Sequence, residues 1–135
     1  MKRKEARAEA MNLVFESAFR EWEAPADIYR KAVCDRGFEE DDYIKDVFFG
    51  VCEHLELIDG KISAYSRGWS TGRISKVALA VMRVAVYEIL FREDVPDRVA
   101  INEAIELIKT YDDEEQVRKF VNGVLNSVIK EKTEE

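Results

Sequence analysis

The stretch from Val95 to Asn126, VPDRVAINEAIELIKTYDDEEQVRKFVNGVLN, limits what this chain can fold into more than any other. In VAINEAIELIKTY the apolar Ile101, Ala104, Ile105 and Ile108 recur at i, i+3, i+4 and i+7, the spacing of one buried helical face. Asn102, Glu103 and Glu106 fall off that seam. In QVRKFVNGVLNSVI the residues Val117, Phe120, Val121, Val124 and Val128 repeat the period, and Asn122 and Gly123 sit inside it. A mid-helix glycine costs about 1 kcal/mol relative to alanine. Gly123 is therefore expected where a neighbouring backbone comes close. Asp113, with Gln116 three residues on, forms a capping-box-like start for this last helix.

The rest of the chain reads the same way. A first helix is predicted over Arg3 to about Trp22, with Ala6, Ala10, Leu13, Val14, Ser17 and Ala18 on its inner face, ended by Ala24-Pro25 because the residue before proline avoids the helical conformation. A second follows from Ala26 to about Arg36 and stops at Gly37. Acids at 39–42 suit the positive end of a third helix near Tyr43 to His54. A fourth is predicted near Leu57 to Ser66. The Ser- and Gly-rich 66–75 reads as a connection. Ser75 or Thr71 is placed to cap the next helix, which runs to about Arg92 and is apolar nearly all round, the mark of a central element. Within it Arg83 and Glu88 need partners, because a buried charge is costly when unpaired. The tail from Lys130 is charged and expected to fray. Strand-like alternation is absent. The expectation is an all-α chain of about seven helices.

At 135 residues the chain suits one domain with a real core. Its net charge of −7 argues against indiscriminate nucleic-acid binding. That charge is uneven, however. Asp35 to Asp59 holds nine acids against two bases, whereas Met1 to Ala10 holds four bases against two acids, and Lys61 to Arg98 seven against four. Local basic surfaces remain open. The basic start is followed by no apolar signal-like run. Val77 to Val86 is broken by Arg83, so it reads as a buried helix and not a membrane span. Two cysteines without a secretory signal point to reduced thiols in the cytoplasm.

Chemistry-bearing clusters are sparse. His54 is the single histidine. Cys52 lies two residues from it, on a different helical face, and Cys34 is far upstream, so the three read as two core thiols and a surface or cap histidine, not a metal site. SRGWSTGR lacks phosphate-loop spacing. Asp112 to Glu115 lack the spacing of a calcium loop and read as a solvated helix start. Glu103 and Glu106 lack the Glu-x-x-His of di-metal bundles. No catalytic residue, cofactor or metal is expected. Lys2, Arg3, Lys4 and Arg7 form a basic cluster that reads either as a solvated start or as an RNA contact.

INEAIEL followed by KFVNGVL, with Ile58-Asp59, Trp69 and Arg73, MRVAVYEI, and a basic first helix upstream, resembles the transcription antitermination protein NusB family across most of the chain. The resemblance implies two small helical bundles packed across each other in one RNA-binding domain, an N-terminal one over about 1–56 and a C-terminal one over about 57–130, with 131–135 a charged tail. It implies binding of boxA-like single-stranded RNA together with ribosomal protein NusE. Assembly with other Nus factors and RNA polymerase would promote ribosomal RNA transcription. Transferred by position, the RNA-binding residues are Lys2, Arg3, Lys4, Arg7, Lys119 and Phe120, with Tyr65 a weaker candidate. Phe120 also lies on the apolar repeat, so stacking on a base and core packing both stay open. Phe15, where the family has tyrosine, and Gln116 are the implied partner contacts. Glu5 and Glu9 dilute the basic start, and Thr71 and Ala78 stand where some members place acids for their protein partner. A homodimer is compatible with the family. Two other readings are a helical protein-interaction module without RNA binding and the RNA-binding domain of ribosomal RNA cytosine methyltransferases. Against the latter, a starting methionine and a charged tail are expected of a complete protein.

Overall fold

The computed structural model describes residues 1–66, 74–111 and 114–134. Those residues form seven α-helices and no strand: α1 (Arg3–Ala18), α2 (Pro25–Arg36), α3 (Asp42–Glu53), α4 (Leu55–Ala64), α5 (Lys76–Phe91), α6 (Asp97–Tyr111) and α7 (Glu115–Glu134).

Local chemistry sets most boundaries. Pro25 opens α2 at a position whose N–H has no helical partner, and Gly37 closes it in the left-handed conformation at φ 66°. Asp41 caps α3, accepting from the N–H groups of Tyr43 at 2.8 Å and Ile44 at 3.2 Å. Ser75 caps α5 through Ala78 N–H at 3.0 Å. Asp113, Thr71, Trp69 and Arg73 lie outside the described residues. Two ends differ from expectation. α1 stops at Ala18, short of Trp22, because the Phe19 and Arg20 N–H groups turn back to Glu16 and Ser17 carbonyls in a tightened last turn. α7 runs on to Glu134. Its end is tied down, since Lys132 Nζ donates to the Ile89 carbonyl and to Asp97, both at 2.9 Å, and Glu131 pairs with Lys61 and Tyr65.

α5 is the spine. Ten of its residues are buried, and α1, α3, α4, α6 and α7 all pack on it. Its two charges pair with other helices: Arg83 makes two 2.8 Å bonds to Asp59 of α4, and Glu88 takes Arg7 of α1. The close-approach glycine is not Gly123, which is exposed and has nothing within 4 Å of where a Cβ would stand. It is Gly50 of α3, where a Cβ would collide with the Tyr87 ring of α5. Gly123 lies on the opposite side of α7 from the buried Val121, Val124 and Val128, so the periodicity that buries the valines turns the glycine outward.

Candidate nucleic-acid interface

The basic start of α1 divides into two kinds of side chain. Lys2 and Lys4 are exposed and make no ion pair among the described residues. Arg7 is 5% exposed, and its guanidinium clamps the 1% exposed Glu88 with bonds of 3.0 and 2.9 Å. Glu103 stands 3.8 Å away on a third helix. Burial alone pulls the Arg7 pKa down. The hydrogen bond and charge of Glu88, with Tyr43 and Glu103, outweigh that and hold it above the usual arginine value. Arg7 is thus a correction to the expected phosphate contacts. Removing one member of such a pair strands a buried charge, at about 3–5 kcal/mol. Arg3 stands between the two kinds. It is exposed, yet its guanidinium lies 4.4 Å from the Tyr43 ring centre and 3.8 Å from Asp94. Arg92 covers the same ring at 5.0 Å. Among these cations the Tyr43 phenol is held well above its ordinary pKa, chiefly by burial and then by the charge of Glu88.

At the start of α7, Lys119 is exposed and pairs only loosely along its own helix with Glu115 at 3.3 Å. Phe120 is half-buried against the core, leaving part of its ring at the surface. Gln116 is exposed on the first turn. Phe15 is half-buried and meets Phe19 edge-on with ring centres 5.1 Å apart. Tyr65 is not brought to this cluster. It binds Glu131, eleven residues beyond Phe120 in sequence and so about 16 Å farther along the helix axis. Ala78, at a family acidic position, is buried and offers no side chain for a partner.

α6 packs against α5 and α7. Its Glu103 reaches Arg7 on one flank. On the other flank Arg98 and Asn102 face Asn122, Asn126 and Ile129 of α7 across an open cleft of about 610 Å³. The sequence marked Asn122 and Gly123 as unusual but read the glycine inward, and it gave Arg98 and Asn126 no role. The available signal was angular: these α7 residues sit opposite the valines.

No group of three metal-ligating side chains occurs among the described residues, and no described helix is long and apolar enough to cross a membrane. Cys34 is exposed, contrary to the expected core thiol, and Cys52 is half-buried, its pKa pushed up to about 11 by burial. His54 joins α3 to α4 and stacks on Phe91 at 4.4 Å.

The chain matches the NusB family model over residues 4–130. It is 38% identical to the transcription antitermination protein NusB of Ruminiclostridium cellulolyticum over 96% of this chain and 90% of that protein. Against the protein of the same name from Acetivibrio thermocellus the identity is 52% over 91 residues, spanning 67% of this chain and 62% of the other. Among solved structures, a complex of the antitermination factors NusB and NusE with double-stranded RNA matches with a TM-score of 0.81 and 29% identity, over 96% of both chains. The helix order, the central α5 and these matches together place the chain in the NusB family.

Proposed function

We propose that this protein is a non-enzymatic, cytoplasmic antitermination factor. It binds boxA-like single-stranded RNA jointly with ribosomal protein NusE and joins other Nus factors on RNA polymerase during ribosomal RNA synthesis. The likeness to the solved NusB–NusE–RNA complex over nearly the whole chain carries this reading. The exposed Lys2, Lys4 and Lys119, with Arg3 once it leaves Asp94, neutralise phosphates. The exposed part of Phe120 stacks on an unpaired base. Arg7 acts one step back, by fixing α1 on Glu88. On a chain of net charge −7, RNA affinity alone is modest, and a partner holding the same RNA raises it through effective concentration.

The test is fluorescence anisotropy of a labelled boxA-like RNA, with and without NusE. The expected result is weak binding alone and tight binding in the ternary mixture. Undetectable RNA binding in both, while the protein still binds NusE, overturns the reading in favour of a helical protein-interaction module.

A further inference from the structure

Tyr29 of α2 is 5% exposed, and its hydroxyl completes no hydrogen bond among the described residues. Phe38 and Phe49 hold the ring, with centres 6.2 and 5.5 Å from its own, so the hydroxyl is not free to turn away. Burial raises the phenol pKa, against the Asp41 backbone, which approaches without completing a bond, and the charge of Lys45. The group is therefore a donor at neutral pH. A buried donor without a partner is costly, and here there is room for one to arrive. Tyr29 lines an open cavity of about 460 Å³ between α2 and α3, a size that suits a small molecule. Val33 and Phe49 give it an apolar wall, and Arg30, Glu40 and Lys45 a polar rim. The exposed Cys34 thiol lines the same cavity, one helical turn after Arg30.

From this arrangement we propose that the α2–α3 cavity is a thiol-modification site, in which Cys34 forms a mixed disulfide with a small amino-acid-like thiol whose body lies against Tyr29. The proposal is independent of the RNA-binding reading. The step is an exchange: the Cys34 thiolate attacks one sulfur of a low-molecular-weight disulfide, a Cys34 S–S bond forms, and the original S–S bond breaks. The other half leaves as a thiolate and takes up the proton that Cys34 gave, so Cys34 is oxidised and the released thiol is the reduced product. The cavity selects the adduct by its polar groups. The Tyr29 hydroxyl donates to an amide or carboxylate oxygen, supplying the partner the fold does not. Arg30 and Lys45 are held only by surface pairs, to Asp27 at 2.8 Å and Glu40 at 3.3 Å. Such pairs are weak enough for a ligand carboxylate to compete, and Glu40 suits a ligand ammonium. Val33 and Phe49 take the methylene chain.

The measurement is the equilibrium constant for mixed-disulfide formation at Cys34, read by mass spectrometry of the full chain in oxidised and reduced glutathione. Hydroxyethyl disulfide, which lacks carboxylate, amide and ammonium groups, is the control. Each unmodified variant is also melted. Tyr29→Phe should lower the glutathione constant about tenfold and leave the hydroxyethyl constant unchanged. It should melt no lower than wild type, because the lost hydroxyl has no partner inside the protein. Arg30→Gln, at an exposed position, should lower the glutathione constant about threefold and melt as wild type does. Glutathione constants equal to that of wild type in both variants overturn the site and leave Cys34 a bare surface thiol. Equal losses with both disulfides overturn it too, since the cavity then reads nothing of the adduct. A Tyr29→Phe melt well below wild type gives the hydroxyl an internal partner and removes the observation on which the site rests.

Discussion

The inner seam where α1, α3 and α5 meet and the outer face of α7 both carry polar residues inside helical repeats, and they use them in opposite ways. At the seam, polar groups are consumed by the fold: Arg7 closes on Glu88, Tyr87 donates to Asp46 at 2.9 Å, and Gly50 lets the Tyr87 ring in. On the outer face of α7, Asn122, Gly123 and Lys130 are exposed, and nothing lies within 4 Å of where a Gly123 Cβ would stand. Residue type alone therefore does not separate binding residues from structural ones. An arginine on a basic helix was the most structural residue of its cluster, and a glycine in mid-helix the least.

The largest expected contrast is between cations. Arg7→Ala should destabilise by about 3–5 kcal/mol because Glu88 is left buried without its partner. Lys4→Ala should stay within about 0.5 kcal/mol. Urea unfolding of the two variants checks this, and equal midpoints would dissolve the distinction.

Glycines give the next contrast. Gly50→Ala should cost about 1–3 kcal/mol, since the new methyl group must displace the Tyr87 ring. Gly123→Ala meets open space and should gain up to about 1 kcal/mol from helix propensity. Thermal melts showing the same sign for both would contradict the placement of one of them.

A pH titration probes the seam alone. Burial, then the hydrogen bond and charge of Asp46, push the Tyr87 phenol up to about 12 from its ordinary 10.0. The folded protein therefore holds that proton more tightly than the unfolded chain does. The stability it contributes is complete below pH 10 and disappears as pH rises toward 12. Tyr87→Phe should lessen the loss of stability over that window, as measured by denaturation at successive alkaline pH values.

The smallest effect is chemical. Cys52, beside α1 with its pKa at about 11, should resist a thiol reagent at neutral pH, while the exposed Cys34 reacts at once. One fast and one slow thiol by mass spectrometry is the expected result.

Much of this fold was legible in the sequence. Helical periodicity gave seven helices in order, Gly37 and Ser75 marked boundaries that the structure keeps, and the near-continuous apolarity of α5 marked the spine. What stayed hidden were pairings between distant segments. Arg7 lies on the Ala10 and Val14 side of α1, and Glu88 sat in an apolar helix needing a cation, but nothing local joins residues eighty-one positions apart. The end of α7 looked like a frayed tail because its anchors, Asp97, Ile89, Lys61 and Tyr65, lie on three other segments. Of the residues the sequence singled out for the candidate interface, Lys2, Lys4 and Lys119 are exposed, as a basic helix start predicts. The cleft between α6 and α7 left no mark in the sequence, because its two walls come together only once the helices pack.

On the proposed reading, exposed lysines bind RNA while Arg7 holds the helix that presents them. The most direct measurement is the salt dependence of boxA-like RNA binding, with NusE present, for Lys2→Ala/Lys4→Ala/Lys119→Ala. Three lost phosphate contacts should flatten the log–log slope by about 2, with melting temperature essentially unchanged. A slope equal to that of wild type would contradict the account.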